Sequence, residues 1–350
     1  MITIDGSHGE GGGQIVRTAV ALSAVTGTPL KIENIRSRRK VPGLKAQHIA
    51  AIKAIAELCD ADLKGAVIGS PKLEFIPGSI VSKDIQIDIP TAGSIGLVLQ
   101  GLMIPLTKLQ RRIDITINGG GTYGKWSPPL VYIKNILCPM LAEMGYEISI
   151  RIERNGYYPK GGARVYVSAE TLKDGKLAAL DLSERGKLLK IDGLAHSSSD
   201  LEKAEVSSRE AKSAQEYLSS RYDVPIDIEA TYSECYSTGS GVTLRAIFEN
   251  AIIGADTLGK RGVRAEVIGL NTAKKLAEYI DSGASVDVFL SDQLLPYMAL
   301  ADGRSVFTTN TLSSHARTNM DIISKFIEVE YSVETKNGLK MVSIKPIKQS

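Results

Sequence analysis

The sequence repeats one order of secondary-structure elements three times, and this repetition constrains the fold more than any other feature. Each copy is roughly a strand, a helix, a strand, a helix and two strands, recognised from helical and alternating apolar spacing. In the first copy the predicted elements span residues 2–5, 14–26, 30–35, 44–59, 66–68 and 72–75. In the second they span 85–89, 94–106, 112–117, 128–144, 146–154 and 163–168, and in the third 287–300, 305–308, 314–327, 329–335 and 340–344.

Residues 186–280 interrupt the repetition with predicted strands and helices at 188–194, 200–222, 226–232, 241–249 and 265–280. One sheet with two helices buries its apolar face poorly alone, so we expect the copies to pack together. The sequence therefore predicts an α/β fold, an α+β sandwich whose three βαβαββ units form a large domain (1–185 and 281–350). A smaller α/β domain, 186–280, is inserted before the third unit.

The composition limits where the chain works and what it binds. The formal net charge is only +3 and no polybasic arm is present, so a nucleic acid would have to bind a local cluster of Arg and Lys. Cys59, Cys138 and Cys235 lie in no metal or redox spacing, which predicts buried free thiols in a reducing compartment. No apolar run reaches the roughly 18 residues of a membrane span, and no secretory leader is visible. We expect a cytoplasmic protein without a membrane partner.

A glycine-rich turn, GEGGGQ at residues 9–14, separates the first predicted strand from the first helix. Glycines allow backbone N–H groups to approach a phosphate, and the helix N-terminus adds positive partial charge. The carboxylate of Glu10 would repel a bare pyrophosphate, but it can share a divalent cation with phosphate oxygens. The turn therefore predicts a phosphate site with Glu10 as a metal ligand. The alternative is a tight turn with a solvated Glu10.

Basic residues cluster near this turn in the predicted fold: Arg17, Arg36, Arg38, Arg39 and Lys40. Arg17 is one turn into the first helix, and the others follow the carboxyl end of the next strand, where ligands of α/β units bind. Guanidinium groups suit phosphate oxygens because they can donate two parallel hydrogen bonds. The cluster indicates an anion site, and a solvated charged surface is the alternative.

His315 lies in the segment SSHARTN, where Ser313 or Ser314 can cap a helix and place the imidazole in its first turn. At helical spacing it shares a face with Asn319 and Ile322, which directs it toward the other repeats. The helix dipole disfavours an imidazolium there, so we expect a neutral ring that can attack phosphorus. The alternative is a structural histidine, which is the interpretation given to His8, His48 and His196, although His8 and His48 could also support the site from behind.

Polar residues interrupt two otherwise apolar helices: Gln100 in the second copy and Asp292 with Gln293 in the third. Buried amides and carboxyls need partners, which a purine with its ribose could supply. Capping or helix–helix hydrogen bonds are the alternative. Two further turns at strand ends, 119–122 and 157–162, could line a groove for a polymer.

Taken together, these segments resemble the RNA 3′-terminal phosphate cyclase family over nearly the whole chain. The resemblance is carried by DGSHGEGGGQIVR, IRSRRKVPGLKAQH, TAGSIGLVLQ, NGYYPKGGARV, FLSDQLLPYMALADG and SSHARTN. It implies a large domain of three βαβαββ repeats with a smaller domain inserted before the last. It also implies an ATP-dependent enzyme of the ligase type that converts RNA 3′-phosphate ends to 2′,3′-cyclic phosphates, through a histidine–AMP adduct and an RNA-adenylate.

The resemblance also implies roles for individual residues. His315 stands where the family has its nucleophile, which bonds AMP through the distal ring nitrogen, and Glu10 matches a carboxylate that coordinates Mg²⁺ or Mn²⁺. The ATP-binding positions are matched by Gln100, Phe289, Leu290, Ser291, Asp292 and Gln293. Groups around the phosphates or the RNA end are matched by Gln14, Arg17, Arg36, Arg39 and Gln47. The implied partners are ATP and RNA with a 3′-phosphate, and a homodimer is compatible with the resemblance.

Two other functions compete with this one. Cyclase-like proteins of ribosome biogenesis share the fold and lack the nucleophilic histidine, so His315 argues against a catalytically inactive RNA-binding role. An NADP-dependent oxidoreductase would use the glycine turn as a dinucleotide fingerprint and residues 36–40 at the 2′-phosphate. Gln14 stands where the third glycine of that fingerprint would be, and Glu10 would repel the pyrophosphate, which disfavours it.

Overall fold

The computed structural model describes residues 1–125 and 127–347, which form a mixed α/β fold with four four-stranded sheets. The first sheet has the order β1-β2-β4-β3 and consists of β1 (Ile2–Asp5), β2 (Leu30–Glu33), β3 (Asp62–Lys64) and β4 (Leu73–Ile76). β1 and β2 are parallel, and β4 is antiparallel to both of its neighbours. The helices of this repeat are α1 (Gly13–Thr26) and α2 (Ala46–Cys59).

The second sheet repeats this topology in the order β5-β6-β8-β7, with β5 (Ile85–Ser94), β6 (Ile113–Gly121), β7 (Ile148–Arg154) and β8 (Arg164–Ala169). A helix α3 (Ile95–Leu102) and a 3₁₀ turn (Pro105–Lys108) follow β5. The next helix runs through α4 (Leu130–Tyr132), a π-helical turn (Ile133–Leu137) and α5 (Cys138–Glu143). Along β6, Ile113 and Ile115 face the core while Asp114 is exposed, as the two-residue period of a strand requires.

A short strand, β9 (Asp181–Leu182), precedes the residues that form a separate sheet. This sheet has the order β11-β10-β12-β13, with β10 (Leu188–Ser198), β11 (Ile226–Ser233), β12 (Ser240–Phe248) and β13 (Ile252–Leu258). Two helices, α6 (Val206–Ser219) and α7 (Ala265–Ser282), pack against it and against each other. Arg245 of β12 donates to the carbonyl oxygen of Asn135, which ties this sheet to the second repeat.

The third repeat takes β9 as its first strand, because β9 pairs in parallel with β14 (Ser305–Thr309). With β15 (Val329–Lys336) and β16 (Leu339–Pro346) the sheet has the order β15-β16-β14-β9, which is the order of the first two sheets read from the other edge. Its helices are α8 (Val288–Leu300) and α9 (Ser314–Ile323). The separate sheet therefore follows the first strand of the third repeat, whereas the sequence predicted it before that repeat.

Several element boundaries differ from the predicted ones. The prediction of a strand at 66–68 is wrong. Gly65 and Gly69 adopt φ values of 83° and 80°, so the backbone forms a turn here. The helix predicted at 200–222 is divided where Glu205 adopts a φ of 51°, and a 3₁₀ helix (Ser199–Ala204) precedes α6. The helix predicted at 314–327 ends at Ile323. β9 and β13 were not predicted.

Helices from all three repeats meet around α1. It contacts α2, α3 and α9, and α9 in turn contacts α8. The side chains of Ile15, Ala19 and Leu22 are fully buried in this core. All three cysteines are free thiols, two of them buried as predicted and Cys235 partly exposed. Within the described residues, no helix combines the length and apolar character that crossing a membrane requires.

Candidate active site

The glycine-rich turn packs on α9 through Gly9. Gly9 and Gly11 adopt φ values of 54° and 57°, which residues with a side chain rarely adopt. A Cβ atom at Gly9 would overlap Oγ1 of Thr318 on α9. That hydroxyl donates a hydrogen bond to the carbonyl oxygen of Ser314 at 2.8 Å. The turn of the first repeat therefore lies directly against the first turns of α9.

His315 lies in the first turn of α9, as the sequence predicted. Ser313 caps the helix, since its Oγ accepts a hydrogen bond from the N–H of Ala316 at 2.9 Å. Nε2 of His315 lies 3.1 Å from Oε2 of Glu10, and 45% of the histidine side chain is exposed. Glu10 and His315, from opposite ends of the chain, are therefore in contact, and the imidazole remains accessible to a ligand.

The surroundings of His315 lower its pKa. Burial has the largest effect, the charges of Arg17 and Arg39 act in the same direction, and the carboxylate of Glu10 opposes them. The ring is therefore neutral at pH 7. The sequence led to the same expectation from the helix dipole, and the structure adds burial and two arginines as causes.

Glu10 is the centre of the polar contacts in the site. Oγ of Ser314 donates to its Oε1, and Nη2 of Arg39 lies 3.6 Å from its Oε2. Among the residues that the structure describes, no group of three or more His, Cys, Asp and Glu side chains is arranged to hold a metal ion. Mg²⁺, however, is commonly held by one or two carboxylates together with substrate phosphates. Glu10 fits a metal ion of that kind.

Polar contacts join α1, α8 and α9 behind His315. Nδ2 of Asn319 donates to the carbonyl oxygen of Asp292 at 3.0 Å, and its Oδ1 accepts from the hydroxyl of Thr18 at 2.8 Å. Burial raises the pKa of Asp292 to about 8, and the charge of Arg17 opposes this rise. Burial lowers the pKa of Arg17 to about 10, so Arg17 stays positively charged at neutral pH.

Two buried amide oxygens, Oε1 of Gln14 and Oε1 of Gln293, have no hydrogen-bond partner in the described part of the chain. The nitrogens of the same amides are used, because Gln14 donates to the carbonyl oxygen of His315 at 3.3 Å and Gln293 to that of Phe289 at 3.0 Å. Leaving a buried acceptor unpaired costs about 1–3 kcal/mol. The two oxygens therefore fit a ligand that carries hydrogen-bond donors, as a nucleotide does.

The other residues of α8 divide between the core and the site. Leu290 is fully buried, and the Ser291 hydroxyl donates to a carbonyl oxygen one turn back in the same helix. Phe289 is partly exposed, with Nζ of Lys275 4.5 Å from its ring centroid and Tyr132 edge-on at 6.3 Å. Its ring can stack on a base, whereas Leu290 and Ser291 hold the helix in place.

The arginine cluster divides in the same way. Arg36 is buried with a φ of 54°, and its Nη1 donates to the carbonyl oxygen of Gly43 at 2.7 Å. The N–H of Arg39 donates to the carbonyl oxygen of Arg36 at 3.0 Å. Arg36 therefore holds the loop that presents Arg39 to Glu10.

The last two predicted residues lie on neighbouring helices of the first and second repeats. Oε1 of Gln47 accepts the N–H of Ser94 at 3.3 Å, at the start of α3. Gln100 is partly exposed on α3, and the adjacent Gly101 approaches the side chain of Arg17. Both glutamines thus lie on helices that pack together with α1, in which Arg17 lies.

The sequence left His48 as a structural residue or as one that supports the site from behind, and it lies directly under the glycine-rich turn. Its Nδ1 accepts the N–H of Lys45 at 3.0 Å, and a Cβ atom at Gly13 would overlap its Nε2. Burial lowers the pKa of His48 to about 3, with Arg17 and Arg36 contributing. The neutral ring therefore carries its proton on Nε2, which faces the start of α1. The feature that identifies His48 as a support of the turn is its burial, which cannot be read from the sequence.

A family model described as RNA 3′-terminal phosphate cyclase matches residues 8–333. Curated proteins of that name are similar over nearly the whole chain. The one from Methanosarcina mazei is 41% identical and covers 98% of this chain and 100% of its own. Those from Pyrococcus abyssi and Caldivirga maquilingensis are 40% and 42% identical, covering 97% and 99% of this chain and 96% and 98% of their own.

Proposed function

Because the chain belongs to the RNA 3′-terminal phosphate cyclase family and is an enzyme of that family, we propose that it closes RNA 3′-phosphate ends with ATP through a covalent adduct on His315. The observation that carries this proposal is the 3.1 Å contact between Nε2 of His315 and Oε2 of Glu10. It brings the proposed nucleophile next to a carboxylate that could hold a metal ion, and Nη2 of Arg39 lies 3.6 Å from the same carboxylate.

In the first step His315 attacks the α-phosphorus of ATP. The lone pair of Nε2 forms the P–N bond, the bond to the bridging oxygen breaks, and pyrophosphate leaves with that electron pair. The ring proton must be on Nδ1 beforehand, because a protonated Nε2 has no free lone pair. The adduct then loses this proton to solvent.

In the second step an oxygen of the RNA 3′-phosphate attacks the adenylyl phosphorus, the P–N bond breaks, Nε2 recovers its lone pair, and Nδ1 takes a proton back from solvent. The adjacent 2′-hydroxyl then attacks the 3′-phosphorus, loses its proton to solvent and expels AMP. The 2′ oxygen and the phosphorus belong to one ribose, so the ring closes at high effective concentration. A terminal deoxyribose cannot complete this step.

The residues around His315 bind and orient the two substrates. Arg17 and Arg39 neutralise phosphate charge, and the unpaired oxygens of Gln14 and Gln293 accept hydrogen bonds from the nucleotide. Phe289 stacks on the base. When bound at Glu10, Mg²⁺ or Mn²⁺ would supply further neutralisation of phosphate charge.

A product assay tests this function. Incubation of the protein with ATP, Mg²⁺ and a 3′-phosphorylated oligoribonucleotide is expected to make the terminal phosphate resistant to phosphatase. A matched oligonucleotide with a 2′-deoxy terminal nucleotide is expected to accumulate the adenylated end instead. A terminal phosphate that stays fully sensitive to phosphatase in both substrates contradicts the proposal.

We also propose that residues 186–280 form a domain apart from the three repeats (1–185 and 281–350). The separate sheet of β10 to β13, with its own two helices, supports this division. Amide hydrogen exchange is expected to reveal two cooperative units of different stability. A single exchange rate for the global unfolding of both parts would contradict it.

A further inference from the structure

A patch of aromatic and basic side chains, three of them exposed and Arg154 partly exposed, lies where the second repeat meets the separate sheet. It consists of Arg154, Tyr158, Lys160 and Tyr236, and is called here the tyrosine patch. The exposed fractions of Tyr158 and Tyr236 are 81% and 54%. Single exposed aromatics are common on protein surfaces, but two on adjacent loops with neighbouring cations are typical of single-strand nucleic-acid binding.

One hydrogen bond joins the two loops of the tyrosine patch, and another closes the first loop on itself. The N–H of Lys160 donates to Oγ of Ser237 at 3.0 Å, and the N–H of Gly161 donates to the carbonyl oxygen of Tyr157 at 2.8 Å. The first bond joins the loop of the second repeat to the loop between β11 and β12. The patch is therefore a single surface built from two parts of the chain.

The ring of Tyr236 packs against the backbone of Gly162 and the guanidinium group of Arg154. A Cβ atom at Gly162, whose φ is 77°, would overlap this ring, so only glycine allows the ring to lie there. The guanidinium carbon of Arg154 is 4.3 Å from the ring centroid, and Nε of Arg154 donates to the carbonyl oxygen of Gly162 at 2.7 Å. A ring ordered in advance loses little conformational entropy when a ligand stacks on it.

The tyrosine patch adjoins the candidate active site through the last residues of β5, just before α3. A Cβ atom at Gly161 would lie 3.0 Å from Cα of Ala92. Two residues later the N–H of Ser94 donates to Gln47 at 3.3 Å. The backbone path from Gln47 to the patch is therefore on the order of 10–20 Å at about 3.8 Å per residue. A single RNA strand that runs from Gln47 to the patch would span this distance with a few nucleotides.

On the basis of the proposed function, we propose that the tyrosine patch binds the nucleotides that precede the reacting 3′ end of a single-stranded RNA. Bases stack on Tyr158 and Tyr236, and Lys160 contacts a backbone phosphate. The strand is single because a duplex keeps its base faces stacked internally. The exposed Glu234 lies in the same loop as Tyr236, so stacking rather than charge supplies most of the affinity. Stacking is independent of sequence, so the patch accepts many RNA ends.

The test compares substrate lengths in the double variant Tyr158→Ala/Tyr236→Ala. For a 3′-phosphorylated, unpaired oligoribonucleotide of about twelve nucleotides, KM is expected to rise about tenfold or more for each tyrosine ring that is removed from a base. For a 3′-phosphorylated dinucleotide KM is expected to stay unchanged. Tyr217→Ala is the matched control, because Tyr217 on α6 also has an arginine beside its ring, Arg221 at 5.7 Å, but lies outside the patch. Fluorescence anisotropy of the labelled longer RNA without ATP measures the same weakening of RNA binding independently of catalysis.

The outcomes distinguish a failure of the RNA-binding proposal from a failure of the proposed reaction. An unchanged KM for the longer RNA, or an equal rise in KM at both lengths, overturns the RNA-binding role of the patch while wild-type cyclisation stands. A wild type that closes neither substrate overturns the proposed function, and anisotropy then still decides whether the patch binds RNA. A longer RNA whose 3′ end is fully paired is expected to bind the wild type and the double variant equally. A length-independent fall in activity with a lower melting temperature overturns the proposal in favour of a structural role for Tyr236.

Discussion

Nε2 of His315 lies 3.1 Å from Oε2 of Glu10, so the ring nitrogen assigned to nucleophilic attack is the one that faces the carboxylate. A proton on Nε2 would be shared with Glu10 and would leave no lone pair for phosphorus. Nucleophilic attack and donation of a hydrogen bond to Glu10 are therefore exclusive uses of the same atom. A divalent cation that engages the carboxylate would favour the tautomer with the proton on Nδ1.

Substitution of Glu10 by Gln is expected to lower the pKa of His315 further, because Glu10 is the neighbour that raises it. Substitution of Arg39 by Gln is expected to raise this pKa, because Arg39 lowers it. NMR titration of the His315 ring in the free protein measures both shifts. Shifts of equal sign in the two variants would contradict the electrostatic description of the site.

Gln293→Leu is expected to weaken ATP binding strongly while changing the stability of the fold only slightly. The substitution removes an unpaired buried oxygen together with the hydrogen bond from Nε2 to the carbonyl oxygen of Phe289, so the free energy of unfolding is expected to fall by only about 1 kcal/mol. Removing a hydrogen bond to the nucleotide is expected to raise KM for ATP about tenfold. Denaturant unfolding and steady-state kinetics measure the two effects. Gln215→Leu on the exposed face of α6 is the control and is expected to change neither. A large decrease in stability with unchanged KM would assign Gln293 to the core.

Acid is expected to remove a contribution of His48 to stability. Its pKa is about 3 in the folded protein and 6.5 without the fold, because burial opposes its charged form. As the pH falls from 6.5 toward 3, the unfolded chain binds a proton that the folded protein does not, so this contribution is lost. The free energy of unfolding of His48→Gln is therefore expected to approach that of the wild type over this range. A difference that does not vary with pH would be inconsistent with a buried neutral His48.

Gly9→Ala is expected to destabilise the fold by about 2–3 kcal/mol, because it adds backbone strain and an overlap with Thr318. Gly27→Ala is the matched control, since Gly27 has a similar φ of 65° but open space where a Cβ would lie. Strain alone is expected to cost about 1 kcal/mol there. Chemical denaturation measures the free energy of unfolding of both variants. Equal destabilisation would mean that the turn does not depend on its packing against α9.

The sequence predicted most of the architecture because apolar periodicity records which face of each element is buried. It missed β9, since a two-residue strand such as Asp181–Leu182 has no period and is identified only by its pairing with β14. It did not foresee that Nη1 of Arg36 donates to the carbonyl oxygen of Gly43, because local sequence does not reveal which carbonyl a loop will present. The unpaired oxygens of Gln14 and Gln293 likewise depend on the packing of all three repeats.

The most direct test of the central claim is covalent labelling by ATP radiolabelled at the α-phosphate, followed by denaturation and peptide mass spectrometry. The wild type and the control His8→Ala are expected to carry an acid-labile AMP on the peptide that contains His315, and His315→Ala is expected to carry none. An AMP adduct that persists in His315→Ala, or that maps to another residue in the wild type, would contradict the assignment of His315 as the nucleophile.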